Sequence, residues 1–111
     1  MQKNQASDRL GRLLAAWQSE GGVGTFETLC QVAAPLIRQA AAKILRENGA
    51  RSNELIDEVE SLVRVHLWRS REKGRAKFDT VKGGKAYLTW LSRNRARDVL
   101  RRQRTHAPLP P

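Results

Sequence analysis

Ala86, Trp90, Arg93, Arg97 and Arg101 follow one another at steps of four, three, four and four, with Tyr87 and Asn94 beside them. On a helix of about 3.6 residues per turn this spacing gathers rings, guanidinium groups and an amide on one face. Leu88, Leu91, Ser92, Ala96 and Val99 are left for the opposite face. Such a surface could bind a single nucleic-acid strand: cations meet the phosphates, flat groups stack on unpaired bases, and an amide reads a base edge. A helix that only touched duplex backbone would have no use for Trp90. The plainer reading is that Trp90 and Tyr87 are core aromatics and the arginines a solvated face.

Other chemistry is poorly supplied. A metal site needs several ligands at workable spacing, whereas the chain offers His66, His106 and Cys30. His66, beside Trp68 in a helical stretch, reads as packed or half-exposed. Cys30 lies on an apolar stripe and reads as a small core residue, not a reactive thiol. No nucleophile with a matching base can be argued, and Gly83-Gly84 falls short of a phosphate loop. Asp57, Glu58 and Glu60 are close in sequence but point mostly in different directions on a helix. The reading is a non-enzyme without cofactor or metal.

Charge favours an anionic partner. The 111 residues carry a formal net charge of +10. Residues 1–70 hold nine Lys/Arg against eight Asp/Glu, whereas residues 71–111 hold twelve against three. The excess therefore sits in the last third, with the aromatic–arginine face. An in-plane membrane helix needs a wide apolar face opposite its cations, and here the richest apolar stripes lie in other segments. No run approaches a membrane span, and MQKNQASDRL lacks the apolar centre of a signal peptide. The expectation is a cytoplasmic protein without membrane insertion. A single cysteine, which allows no internal disulfide, agrees with a reducing compartment.

The elements that must position this face are helical throughout. Ser7 or Asp8 can cap a short helix through Ser19, with Leu10, Leu13, Leu14 and Trp17 as its stripe. Gly21-Gly22-Val23-Gly24 breaks it. A long helix capped by Thr25 carries Phe26, Leu29, Cys30, Ala33, Ile37, Ala40, Ala41 and Ile44, with a kink or break expected at Pro35. Asn48-Gly49 supplies a left-handed stop. A third helix runs from Ser52 or Asn53 to about Arg71, with Leu55, Ile56, Val59, Leu62, Val63 and Leu67 on its apolar face. Acids in its first turns suit the positive end of its dipole or a docking partner. Residues 72–84 read as an ordered basic loop, the last helix begins at about Lys85, and THAPLPP cannot continue it. These elements predict an all-α bundle of about four helices. The domain assignment is 1–24 as a short helix and break, 25–105 as the helical domain, and 106–111 as the start of a linker.

ELIDEV at 54–59, HLW at 66–68, FD at 78–79, a basic glycine loop and AYLTWLSRNRARDVLRR at 86–102 together resemble the second domain of bacterial extracytoplasmic-function sigma factors. The resemblance covers about residues 25 to 105, and its last block is the most specific. Between ELIDEV and HLW this chain is longer than the family spacing by about four residues, close to one helical turn. Asp57 stands where the family commonly has an amide, and Tyr87 where it has Trp.

The resemblance implies the sigma domain-two bundle and a division of labour. Glu54, Leu55, Asp57 and Glu58 would dock on the clamp helices of the RNA polymerase largest subunit. The loop and last helix would engage the minus-ten promoter element and hold the non-template strand after opening. Phe78, Asp79 and Lys82 belong to the loop, where base capture is expected. Lys82, Lys85, Arg93, Arg97 and Arg101 would meet phosphates, Tyr87 and Trp90 bases, and Asn94 a polar group. Asp98, set among arginines, reads as an ion-pair partner. The resemblance also implies a helix-turn-helix domain after the tail, and it admits an anti-sigma factor as a partner. Two further readings remain open: a free-standing duplex-binding regulator, and an adaptor whose basic end meets an acidic protein.

Overall fold

The computed structural model describes residues 5–72 and 83–106, and among them every regular element is a helix. α1 spans Gln5–Ser19, α2 Val23–Glu47, α3 Asn53–Glu72 and α4 Gly83–His106. The expected all-α bundle of four helices is what the chain forms. None of these helices is long and apolar enough to cross a membrane.

The stripes read from the sequence are the buried ones. Leu10, Leu14 and Trp17 of α1 meet Leu29, Ala33, Ile37 and Ala41 of α2, Val59 and Val63 of α3, and Leu88, Leu91, Ala96 and Val99 of α4 in one core. Each fully buried Leu, Ile or Val among them contributes roughly 1.5–3 kcal/mol, so the shared core is the main source of stability. Cys30 lies within α2, only 2% exposed. Burial raises its thiol pKa against the opposing pull of Arg64, so the unreactive thiol form is favoured.

Cross-helix contacts give the directions. Phe26 of α2 meets Trp68 of α3, and Arg38 of α2 reaches Asp57 and Glu60 of α3, both at 2.8 Å. As numbers rise on α2 they fall on α3, so the pair is antiparallel. Glu58 faces Arg102 at 3.8 Å, and His66 feels the charge of Arg95, so α3 and α4 are antiparallel too.

α1 is held at two points. At one, mid-helix, it crosses the start of α4 where glycine meets glycine: a Cβ on Gly84 would lie 2.7 Å from the backbone nitrogen of Gly11. At the other, the Trp17 indole N–H donates to the Leu67 carbonyl at 3.2 Å, and Arg71 Nε donates to the Trp17 carbonyl at 2.7 Å. The Arg71 guanidinium also lies over the Trp17 ring, 5.3 Å from its centroid. Gly21 makes room for it, since a Cβ there would come within 2.5 Å of the guanidinium carbon.

Three helix starts and the expected effect of Pro35 depart from the sequence reading. α1 begins at Gln5, so Ser7 and Asp8 fall inside its first turns. α2 begins at Val23 with Gly22 (φ 96°) as its cap and no side-chain cap, so Thr25 lies within the helix. The positive φ values of Gly21 and Gly22 complete the reversal, leaving Val23 and Gly24 free to be helical. Pro35 does not divide α2: Pro35 and Gln31 are both exposed, so water can satisfy the carbonyl that loses its donor. α4 begins at Gly83 (φ 78°), ahead of Lys85. The Asn48-Gly49 stop is realised, with Gly49 at φ 76° and the Ala50 N–H returning to the Leu45 carbonyl at 2.8 Å. Ser52 caps α3 by accepting the Leu55 N–H at 3.3 Å.

Candidate nucleic-acid interface

α4 is anchored by one face. Leu88, Leu91, Ser92, Ala96 and Val99 are sealed in the bundle, and this fixes what the opposite face presents. Ala86, Trp90, Arg97 and Arg101 are exposed there, with Lys85 at the start of the helix. Trp90 leaves 60% of its surface in solvent, which removes the reading of it as a core aromatic. Tyr87 is different. It packs half-buried against the core, and its ring sits 6.2 Å from that of Trp90 at an interplanar angle of 33°. Burial raises the Tyr87 pKa, opposed by the nearby charge of Arg95, so the phenol stays neutral near pH 7. Tyr87 thus backs Trp90 from the core side.

The arginines are not equivalent. Arg97 is exposed and meets no carboxylate among the described residues. Arg101, also exposed, is drawn to Asp98 at 2.8 Å, and Arg95 reaches the other oxygen of the same carboxylate at 3.3 Å. Asp98 is therefore the intrahelical ion-pair partner its surroundings suggested. Arg93, Asn94 and Arg95 are partly exposed, and the Nε atoms of both arginines are shut from solvent without an acceptor among the described residues. Arg95 went unnoticed in the sequence because helical spacing sets it among the apolar positions, one turn after Leu91 and two after Leu88, on the side toward His66 of α3. Phe78, Asp79 and Lys82 lie outside the described residues.

The residues assigned to docking sit on the first turns of α3, and one of them must be corrected. Leu55 is turned into the core, 9% exposed, because it shares the stripe of Val59, Val63 and Leu67. Its side chain is unavailable to a partner. Glu54, Asp57 and Glu58 are exposed. Asp57 is bridged to Arg38 and Glu58 faces Arg102, while Glu54 makes no ion pair among the described residues.

A feature that the sequence reading did not assemble lies at the other end of α3. Trp17, Phe26 and Trp68 form an aromatic cluster, with Trp68 centred 5.1 Å from each of the other two rings. Beside it, Phe26, Arg64, Val65, Trp68 and Arg69 line a groove of about 260 Å³. The available signal was that Val65 and Trp68 are three apart and off the buried stripe of α3. Compared with family models, curated proteins and solved structures, the chain matches none.

Proposed function

We propose that this chain is a transcription-initiation module of the sigma domain-two type, acting in the cytoplasm and without catalysis of its own. Its α4 face would hold the non-template strand of an opened minus-ten element, while the acidic start of α3 meets RNA polymerase. The observation that carries the reading is the exposed indole of Trp90 on the same helical face as Arg97 and Arg101. Unpaired bases offer π-faces to an indole, and duplex DNA keeps those faces stacked inside. Arg93, on the same face, adds to this: a donor left unpaired is costly, and rotation of its side chain toward a phosphate would satisfy it. The ion pairs of Asp57 and Glu58 lie at the surface, where such pairs contribute little and exchange readily for a partner's cations.

The test is fluorescence anisotropy with a single-stranded minus-ten oligonucleotide and a duplex of the same sequence. Single strand should bind more tightly, and Trp90→Ala should cost roughly 1–3 kcal/mol of that affinity, as loss of one stacked base does. Equal or tighter binding to random duplex would sink the proposal. Docking is tested separately by retention on core polymerase, which the Glu54→Lys/Glu58→Lys pair should abolish and the Arg97→Ala/Arg101→Ala pair should spare.

A further inference from the structure

Two exposed aromatic neighbourhoods exist among the described residues, and they differ in chemistry. Trp90 presents an open ring on α4. Trp68 is engaged by Trp17 at an interplanar angle of 34° and edge-on by Phe26 at 83°, so it cannot offer a base a clear stacking face. What it offers is its remaining surface, 37% exposed, continuous with Val65, which is 44% exposed, and with Phe26 in the groove between α2 and α3. An apolar depression of this kind suits a protein side chain better than a nucleotide.

Its rim supplies the second observation. Arg64 and Arg69 flank the groove, both exposed, and neither meets a carboxylate among the described residues. Arg71, nearby on α3, is instead committed to Trp17. A second copy of this chain is a poor occupant. Groove to groove it would set arginine against arginine on a molecule that already carries a net charge of +10, and of the acids at the start of α3 Asp57 and Glu58 are already held by Arg38 and Arg102.

We infer that the Phe26–Val65–Trp68 groove is a protein-docking site for an amphipathic segment that inserts a bulky apolar side chain and flanks it with carboxylates for Arg64 and Arg69. The surface is separate from the α4 face and from the acidic start of α3. α3 thus presents an acidic stretch at its beginning and an apolar–basic one at its end. Opposite charges would steer encounter and set orientation, with the apolar anchor supplying most of the hold.

The experiment titrates the whole chain, labelled with nitrogen-15, with a synthetic peptide of about 16 residues, long enough to be helical, carrying Leu and Phe four apart among Glu residues. Two control peptides replace the apolar pair by Ser or the Glu residues by Lys. The Glu peptide should saturate and shift the amides of Phe26, Val65 and Trp68 and the Trp68 indole. Each control should bind at least about tenfold more weakly, equivalent to 1.4 kcal/mol. Val65→Ser and Arg64→Glu/Arg69→Glu, both at exposed positions and checked for unchanged helicity, should lose the peptide, whereas Trp90→Ala and Arg97→Ala/Arg101→Ala should keep it. No saturable binding of the Glu peptide would overturn the inference. So would binding that survives Arg64→Glu/Arg69→Glu but is lost in Arg97→Ala/Arg101→Ala, since the peptide would then be sitting on the basic face of α4.

Discussion

Ser92 places a hydroxyl at the centre of the bundle, 0% exposed, with no hydrogen-bond partner for its Oγ among the described residues. A buried, unpaired polar group costs about 1–3 kcal/mol, and alanine is also the better helix former. Ser92→Ala should therefore stabilise the protein by about 1 kcal/mol, raising Tm by roughly 4–8 °C in a domain of this size. A thermal melt followed by circular dichroism reads this directly, and a fall in Tm would mean that the hydroxyl has a partner. His66 makes an opposite kind of demand. Its pKa is lowered below 6.5, first by burial and then by the charge of Arg95, so the folded protein favours neutral imidazole. The unfolded chain then binds the proton more readily, so this contribution is intact above the unfolded value and is lost as pH falls from 6.5 through the lowered folded pKa. His66→Gln, which cannot take up that proton, should show a smaller drop in Tm between about pH 8 and pH 5 than the parent. Identical pH profiles for the two proteins would remove His66 from the acid response.

The glycines at the crossing of α1 and α4 show how one element is set by another. A Cβ on Gly84 would meet backbone atoms at 2.7–2.9 Å, which cannot swing away, whereas a Cβ on Gly11 would meet Gly84 nitrogen at an ordinary 3.7 Å. Gly84→Ala should thus force α1 off α4 and cost about 1–3 kcal/mol. Gly11→Ala should be neutral or stabilising by up to about 1 kcal/mol, through helix propensity. Chemical denaturation of the two variants checks the contrast, and equal effects would contradict the crossing. This asymmetry was not visible in the sequence, because helical spacing reports which face is apolar and says nothing about how closely two backbones approach. The faces themselves were legible: the buried residues of α4 are the ones its spacing had set aside, and Trp90 falls on the outward side. The misplaced cap at Thr25 and the undivided α2 have a common cause. Local signals for a turn or a break were overridden where glycine geometry or solvent access relieved the strain. Leu55 was misjudged for another reason, since the motif that places it among docking residues also contains the first residue of the core stripe of α3.

The distribution of charge over the whole molecule decides how it should respond to salt. α4 alone carries seven of the 21 Lys/Arg against one carboxylate, Asp98, so an anion approaching the chain is drawn to the α4 side before any specific contact forms. The sequence shows that excess as a number, but it does not show that Asp98 holds two of those cations, Arg95 and Arg101, at rest. If α4 holds single-stranded DNA as proposed, every phosphate neutralised releases counterions, and affinity falls with log salt at about 0.7 per contact. Arg97→Ala/Arg101→Ala should therefore flatten the slope by about 1.4, while Trp90→Ala should lower affinity at every salt concentration and leave the slope almost unchanged, because stacking releases no cation. Asp98→Asn should do the reverse of the arginine pair. It removes a carboxylate that competes with the phosphates for Arg95 and Arg101 and tightens binding severalfold at low salt, an advantage that fades as screening increases. Anisotropy titrations of the four proteins over a range of salt concentrations test all three expectations together. Weaker binding by Asp98→Asn, with helicity preserved, would show instead that the carboxylate aims Arg101 at its target, and the charge would then act through geometry and not through its total.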